Sequence, residues 1–165
     1  MAVLLLLLAF LFLGVAPVQA NGYQGASQWA VTELDKAWEY GLITERVRHQ
    51  MNAPLTREEF AEIAVKLDEK GTGHVVEAGS MGVFSDTSNP EIIKAYDLGI
   101  VSGTDAARRL FSPHALISRE QVATMLYRTI QAMGAIEDGA AFAVFMDSDQ
   151  ISPYAQEAVH YMGGW

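Results

Sequence analysis

Two stretches of this chain, 62 positions apart, are variants of one phrase: Leu55-Thr56-Arg57-Glu58-Glu59-Phe60-Ala61 and Ile117-Ser118-Arg119-Glu120-Gln121-Val122-Ala123. Each runs aliphatic, hydroxyl, Arg, Glu, then an amphipathic segment. An internal repeat of this length constrains the fold more than any single motif does. It predicts an array of small similar units that stack on one another, so function is to be sought in the units and their joints.

The units occupy the chain after an apolar leader. Ala2 to Val18 is almost wholly apolar, with five consecutive leucines from Leu4 to Leu8, and Val18-Gln19-Ala20 fits the small-x-small rule for signal cleavage. Residues 1–20 therefore read as a signal peptide, although no Lys or Arg precedes the apolar run. An uncleaved N-terminal anchor is the alternative, the run being near the lower length limit for a span. Cleavage implies a secreted protein, yet the chain has no cysteine, so no disulfide framework holds it together. An apolar content of 50% is enough for an ordinary core instead. A net charge of −9 argues against nucleic acid and anionic membrane surfaces as partners.

The first unit spans 26–70. Ala30, Leu34, Ala37, Trp38 and Gly41 fall on one face of a helix, with Gly41 placed as its C-terminal glycine and Trp38 expected in the core. An irregular polar loop is expected from Thr44 to Pro54. Thr56 and Glu59 then form a capping box that opens a second helix with the buried stripe Phe60, Ile63, Ala64 and Leu67. The second unit spans 83–133. Phe84-Ser85-Asp86 leads in, Asn89 and Pro90 start a helix, and Ile92, Ala95, Tyr96 and Gly99 repeat the stripe. Ser118 and Gln121 supply the second capping box, and Val122, Met125, Leu126, Thr129 and Ile130 line the core face. A third unit, 144–165, starts with Phe145-Met146-Asp147, 61 positions after Phe84. Ser152-Pro153 repeats the cap-then-proline device, and Ala155, Ala158, Val159 and Met162 give the stripe. The glycine-rich stretches 71–82 and 134–143 read as linkers.

The Phe-x-Asp lead, the Gly99-Ile100-Val101-Ser102-Gly103 helix end, the Phe111-Ser112-Pro113 loop and the Ile117-Ser118-Arg119-Glu120 helix start resemble the S-layer homology repeat. All four motifs occur in order in the second unit. The first keeps Trp29, Gly41-Leu42-Ile43 and Leu55-Thr56-Arg57-Glu58, but has Glu45 where the second has Gly103. The resemblance implies a mainly α fold: helix-loop-helix units packed as a pseudo-threefold, three-prong helical bundle, here with the third unit incomplete. It also implies non-covalent attachment to the cell wall, with inter-repeat grooves that bind secondary cell-wall polysaccharide, often pyruvylated. The residues it implicates are Arg57, Arg119, Asp86, Asp147, Trp29, Gly99, Ser102 and Gly103.

The placement of the two arginines suits such a task. Thr56 and Ser118 are N-caps, so each Arg is the first helical residue, where free backbone N–H groups and the positive helix end meet a guanidinium able to hold a carboxylate bidentately. The alternative is that Arg57 and Arg119 are solvated surface charges paired with Glu58 and Glu120, that Asp86 and Asp147 are turn residues, and that Trp29 packs in the core.

Other chemistries lack their residues. Asp147-Ser148-Asp149-Gln150 starts like a calcium loop, but Ser152 replaces its glycine and Ala158 its closing Glu. His49, His74, His114 and His160 show no metal-ligand spacing. No nucleophile elbow, phosphate loop or zinc-protease motif occurs, so neither enzyme activity nor a cofactor is expected. Two further readings stay open: a truncated remnant serving as an envelope protein-interaction or self-associating piece, its third-repeat face covered by another chain, and an envelope protein tethered by residues 1–20.

Overall fold

Helix starts are set by local chemistry, and the two capping boxes and the Asn89-Pro90 signal are realised. In this computed structural model, which describes residues 22–137 and 142–164, six α-helices carry the fold. They are α1 (Val31–Glu39), α2 (Glu45–Arg48), α3 (Arg57–Thr72), α4 (Pro90–Asp97), α5 (Arg119–Ala132) and α6 (Gln156–Gly163). Residues 1–20, read above as a signal peptide, residues 138–141 of the stretch read as a second linker, and Trp165 lie outside the described residues. Among the described residues there are no strands, only isolated bridges joining Thr56 to Leu116 and Asp105 to Leu110, and no helix is long and apolar enough to cross a membrane.

Both capping boxes are complete: Thr56 with Glu59 at α3, and Ser118 with Gln121 at α5. Asn89 caps α4 by accepting the Glu91 N–H, with Pro90 at the first helical position. Helices α1 and α4 end on Gly41 and Gly99, at φ of 71° and 73°. At each, the amide after the glycine bonds back to the carbonyl five residues earlier, Leu42 to Ala37 and Ile100 to Ala95. A side chain at either glycine would meet the steric penalty of left-handed backbone.

The core lies where α3 packs against α4 and α5. Phe60, Ala61, Ala64 and Val65 of α3 meet Ile92, Ile93 and Ala95 of α4 and Met125 of α5, and Phe84, Ile100 and Phe111 close the sides. A smaller cluster of Tyr127, Ala158 and Tyr161 joins α5 to α6. The expected stripe on α3 is rotated: Ala61 and Val65 are fully buried, while Ile63 and Leu67 are only half-buried. Two helices pack on α3, so its apolar face is wider than one stripe. On α4, likewise, Ile93 is buried and Tyr96 is 43% exposed.

Four further expectations need correction. Trp38 is not a core residue: it is 37% exposed, with the Arg48 guanidinium 4.2 Å from its ring centroid. Helix α1 has no buried residue, because it packs mainly on the short 3₁₀ turn Gln28–Ala30 that precedes it. The stretch Thr44–Pro54 contains α2, capped by the Thr44 side chain. Ser152-Pro153 does not cap α6, which begins at Gln156 with no side-chain cap. Helix α3 also continues through Gly71 to Thr72, two residues into the stretch read as a linker.

Two buried side-chain atoms lack a hydrogen-bond partner among the described residues, Arg48 Nε, which lies by the Trp38 ring, and Asp68 Oδ1. Asp68 of α3 is 2% exposed and its Oδ1 has no hydrogen-bond partner. Burial, with a smaller contribution from Glu69, pushes its carboxyl above the ordinary aspartate range. The charged form therefore destabilises the fold at pH values above that raised pKa, and the cost is relieved as pH falls through it. Asp68→Asn removes the charge but keeps a polar group, so it should stabilise by about 1 kcal/mol at neutral pH. Urea titrations across pH check this: the gain should shrink as pH drops toward the ordinary aspartate value.

Candidate functional site

Most of the residues singled out from sequence lie at one or the other of two clefts, one beside the loop after α4 and one between α5 and α6. The first is built on Arg57. Its side chain is 6% exposed and crosses from the start of α3 into the loop after α4. Nε donates to the Phe111 carbonyl at 3.0 Å, Nη2 reaches the Ser102 carbonyl at 3.5 Å, and the guanidinium carbon sits 4.8 Å from the centre of the Phe111 ring. Desolvation lowers the pKa of Arg57, with Tyr154 and Asp86 opposing the shift. The first amides of α3 are occupied as well: Arg57 N–H donates to Ala115 O at 2.9 Å and Glu58 N–H to Pro113 O at 3.0 Å. They are not the free donors expected from position alone. The Phe-x-Pro loop of the second unit takes the place a ligand would take at that helix end.

Asp86 holds that loop in shape. Its two carboxylate oxygens accept the Phe111 N–H at 2.9 Å and the Ser112 N–H at 2.8 Å. Burial pushes its carboxyl up, but these amide bonds outweigh burial and leave it below the ordinary range. Ser112 sits at φ 60°, a left-handed conformation that costs a non-glycine residue energy and that the Asp86 bonds help hold. At Gly103 a Cβ would lie 2.7 Å from the Leu110 carbonyl, so only glycine lets the two sides of this loop approach.

Above Arg57 opens a cleft of about 450 Å³. Ser102, Gly103 and Thr104 form one wall. Gln121, Thr124 and Arg128 come from one face of α5, and Tyr154 of the third unit closes the mouth. No Asp or Glu lines it. Arg128 belongs to no repeat motif, and sequence reading passed over it. Its signal was the i, i+3, i+7 spacing of Gln121, Thr124 and Arg128, a polar stripe beside the apolar one.

The second cleft, about 570 Å³, lies between α5 and α6 and is lined by Arg119, Glu120, Phe145 and Asp147, among others. It brings Arg119 and Asp147 to one site. Here no loop covers the arginine, whose side chain is exposed. Trp29 lines neither cleft: it is 82% exposed on the 3₁₀ turn before α1. Gly99 is an exposed helix-end residue and Asp86 a loop tie, so neither faces either cleft.

The glutamates beside the two arginines do not pair with them. Glu58 accepts Asn89 Nδ2 at 2.9 Å and also binds Arg46, while Glu62 accepts the same Asn89 amide at 2.8 Å. Burial raises the Glu58 carboxyl, but the Asn89 and Arg46 bonds outweigh it and hold it below the ordinary range. Glu120, 62 positions on, accepts Tyr154 OH at 2.8 Å, Ser152 N–H at 3.1 Å and Ser152 Oγ at 3.0 Å. Those bonds, that of Tyr154 foremost, lower its pKa too. Each glutamate thus grips a residue that precedes a proline, Asn89 before Pro90 or Ser152 before Pro153.

Residues 84–123 match the S-layer homology domain. The matched segment runs from the Phe84 lead to the first turn of α5, so it contains the Asp86-tied loop, Ser102, Gly103 and Arg119. S-layer homology domains anchor proteins to cell-wall polysaccharide at the cell surface and are not catalytic. No curated protein matches the chain.

Because Arg57 bridges two units from a buried position, its charge alone will not substitute for its shape. Lysine cannot donate to Phe111 O while lying flat on the ring. Arg57→Lys should cost about 2 kcal/mol, in the range for losing a charged hydrogen bond. Urea unfolding checks it: the midpoint should fall with the slope unchanged.

Proposed function

We propose that this protein attaches non-covalently to the cell wall by binding secondary cell-wall polysaccharide in the cleft above Arg57. The observation that carries the reading is convergence. Arg57 of the first unit and Ser102 and Gly103 of the second, implicated separately by their motifs, line one cleft with no carboxylate in it. A sugar chain needs such a place: neutral hydroxyl and amide partners for its ring oxygens, and local positive charge for any acidic substituent such as a ketal-linked pyruvate. The second cleft is the weaker candidate for an acidic substituent, because Asp147 and Glu120 share it with Arg119.

On this reading the chain is a set of stacked helix-loop-helix units, 26–70, 83–133 and 144–165, in a three-prong arrangement. Residues 1–20 direct its export. The match over 84–123 supports attachment, and the cleft supports where it occurs.

Sedimentation with wall sacculi tests it. The purified protein should sediment with sacculi that retain their secondary polysaccharide and stay in solution with sacculi stripped of it. Ser102→Trp, which fills the cleft from an exposed position, should weaken binding about tenfold or more, the effect of losing roughly 1.4 kcal/mol of contact. Equal sedimentation with intact and stripped sacculi would sink the reading.

A further inference from the structure

The chain has 20 acidic and 11 basic residues, so most half-buried cations should find an acid. Arg48 and Lys94, both half-buried, each do. Among the described residues Lys66 and Arg128 do not, and of the two only Arg128 lines the cleft above Arg57. Arg128 is half-buried on α5, and among the described residues its guanidinium makes no hydrogen bond or ion pair. Its surroundings in the cleft are Gln121, Thr124 and Met125 on its own helix and the Ser102–Thr104 wall opposite. A partly desolvated guanidinium with five donors and no protein acceptor is an unfilled binding group.

Arg57 cannot fill that role in the same way. Its Nε is on the Phe111 carbonyl, its Nη2 is turned to the Ser102 carbonyl, and its plane lies against the Phe111 ring. It contributes a positive charge to the cleft, with two of its nitrogens already committed to the loop. Arg57 is therefore first a strut, whereas the whole guanidinium of Arg128 is uncommitted among the described residues.

We propose that Arg128 is the specificity-determining residue of this cleft and engages a carboxylate on the bound glycan, with Arg57 as the fixed second charge. A planar guanidinium and a carboxylate pair through two parallel bonds, a geometry that a neutral sugar cannot offer and a phosphate offers with different spacing. The inference rests on the attachment reading for the site, and adds which residue selects the ligand and by what chemistry.

The experiment measures affinity for purified wall polysaccharide in three forms: native, carboxyl-amidated and dephosphorylated. Wild type should bind the native and dephosphorylated forms alike and the amidated form about tenfold or more weakly. Arg128→Gln should bind the native polymer about as weakly as wild type binds the amidated one, and should no longer distinguish the two. Arg128→Lys, which keeps the charge but not the fork, should fall between. Arg108→Gln removes the same charge from an exposed residue paired with Asp105, outside the cleft, and should change affinity less than twofold. Thermal melting of Arg128→Gln should match wild type. The proposal is overturned if Arg128→Gln binds native polymer like wild type, if it weakens no more than Arg108→Gln, or if dephosphorylation rather than amidation removes binding. Failure of wild type to bind any of the three would instead overturn the attachment reading, and this inference with it.

Discussion

A guanidinium that is 6% exposed must be matched by its surroundings, because taking the charge out of water costs several kcal/mol. Arg57 is matched by the Phe111 carbonyl, the Phe111 ring and the Ser102 carbonyl, and all three belong to the next unit. The loop can offer them only in one shape. That shape needs both oxygens of Asp86 on the Phe111 and Ser112 amides, a left-handed Ser112, and a glycine at 103 where a Cβ would strike Leu110. The same loop turns its Pro113 and Ala115 carbonyls onto the first amides of α3. A single buried charge thus couples the start of α3 to the whole loop between α4 and α5, and the wall of the cleft is a consequence of that coupling.

A second device runs beside it. Glu58 and Glu120, one residue after each arginine, both reach forward to the cap of the following unit, although one finds an amide side chain and the other a hydroxyl and a backbone N–H. Conserving the direction of the contact while changing its chemistry is what an array tolerates: each joint needs a hydrogen-bonded acid, not a particular partner. The two arginines diverge more. Arg57 is enclosed by the loop that follows it, whereas Arg119 stands exposed at the edge of a cleft that also holds Asp147. Two residues in the same sequence context therefore do different physical work.

Whatever depended on a few neighbouring residues was legible in the sequence. Both capping boxes, the Asn89-Pro90 start and the helix-ending Gly41 and Gly99 are local chemistry, and each formed as expected, whereas the α5 stripe holds for Met125 and Thr129 but is widened by the buried Thr124 and Tyr127. Misreadings arose where a distant partner decided the outcome. Ala61 and Val65 are buried because α4 and α5 both lean on α3, which periodicity on α3 alone does not reveal. Trp38 lies against Arg48 rather than in the core because α1 has no deep surface to pack on. Ser152 looked like a cap for its own helix and instead serves Glu120, 32 residues earlier. At the site, the motifs drew attention to Arg57 and away from Arg128. The motif records the capped helix start that Arg57 and Arg119 share, not what either side chain meets.

The electrostatics of the chain give the first cleft its distinct character. A net charge of −9 repels an acidic polymer at long range, so binding must come from contact. At physiological salt the screening length is about 8 Å, which removes most of the influence of acids beyond the cleft rim. Within that radius the lining decides, and it holds two guanidiniums and no carboxylate. Glu120, the acid nearest by sequence to the α5 face, has its oxygens taken up by Ser152 and Tyr154, and Tyr154 itself stands at the mouth. The glutamate that fastens the third unit thereby also brings Tyr154 to the cleft rim, so the bond that stabilises the joint helps shape the cleft. An acidic surface around such a site favours ligands that reach the cleft over those that only touch the exterior.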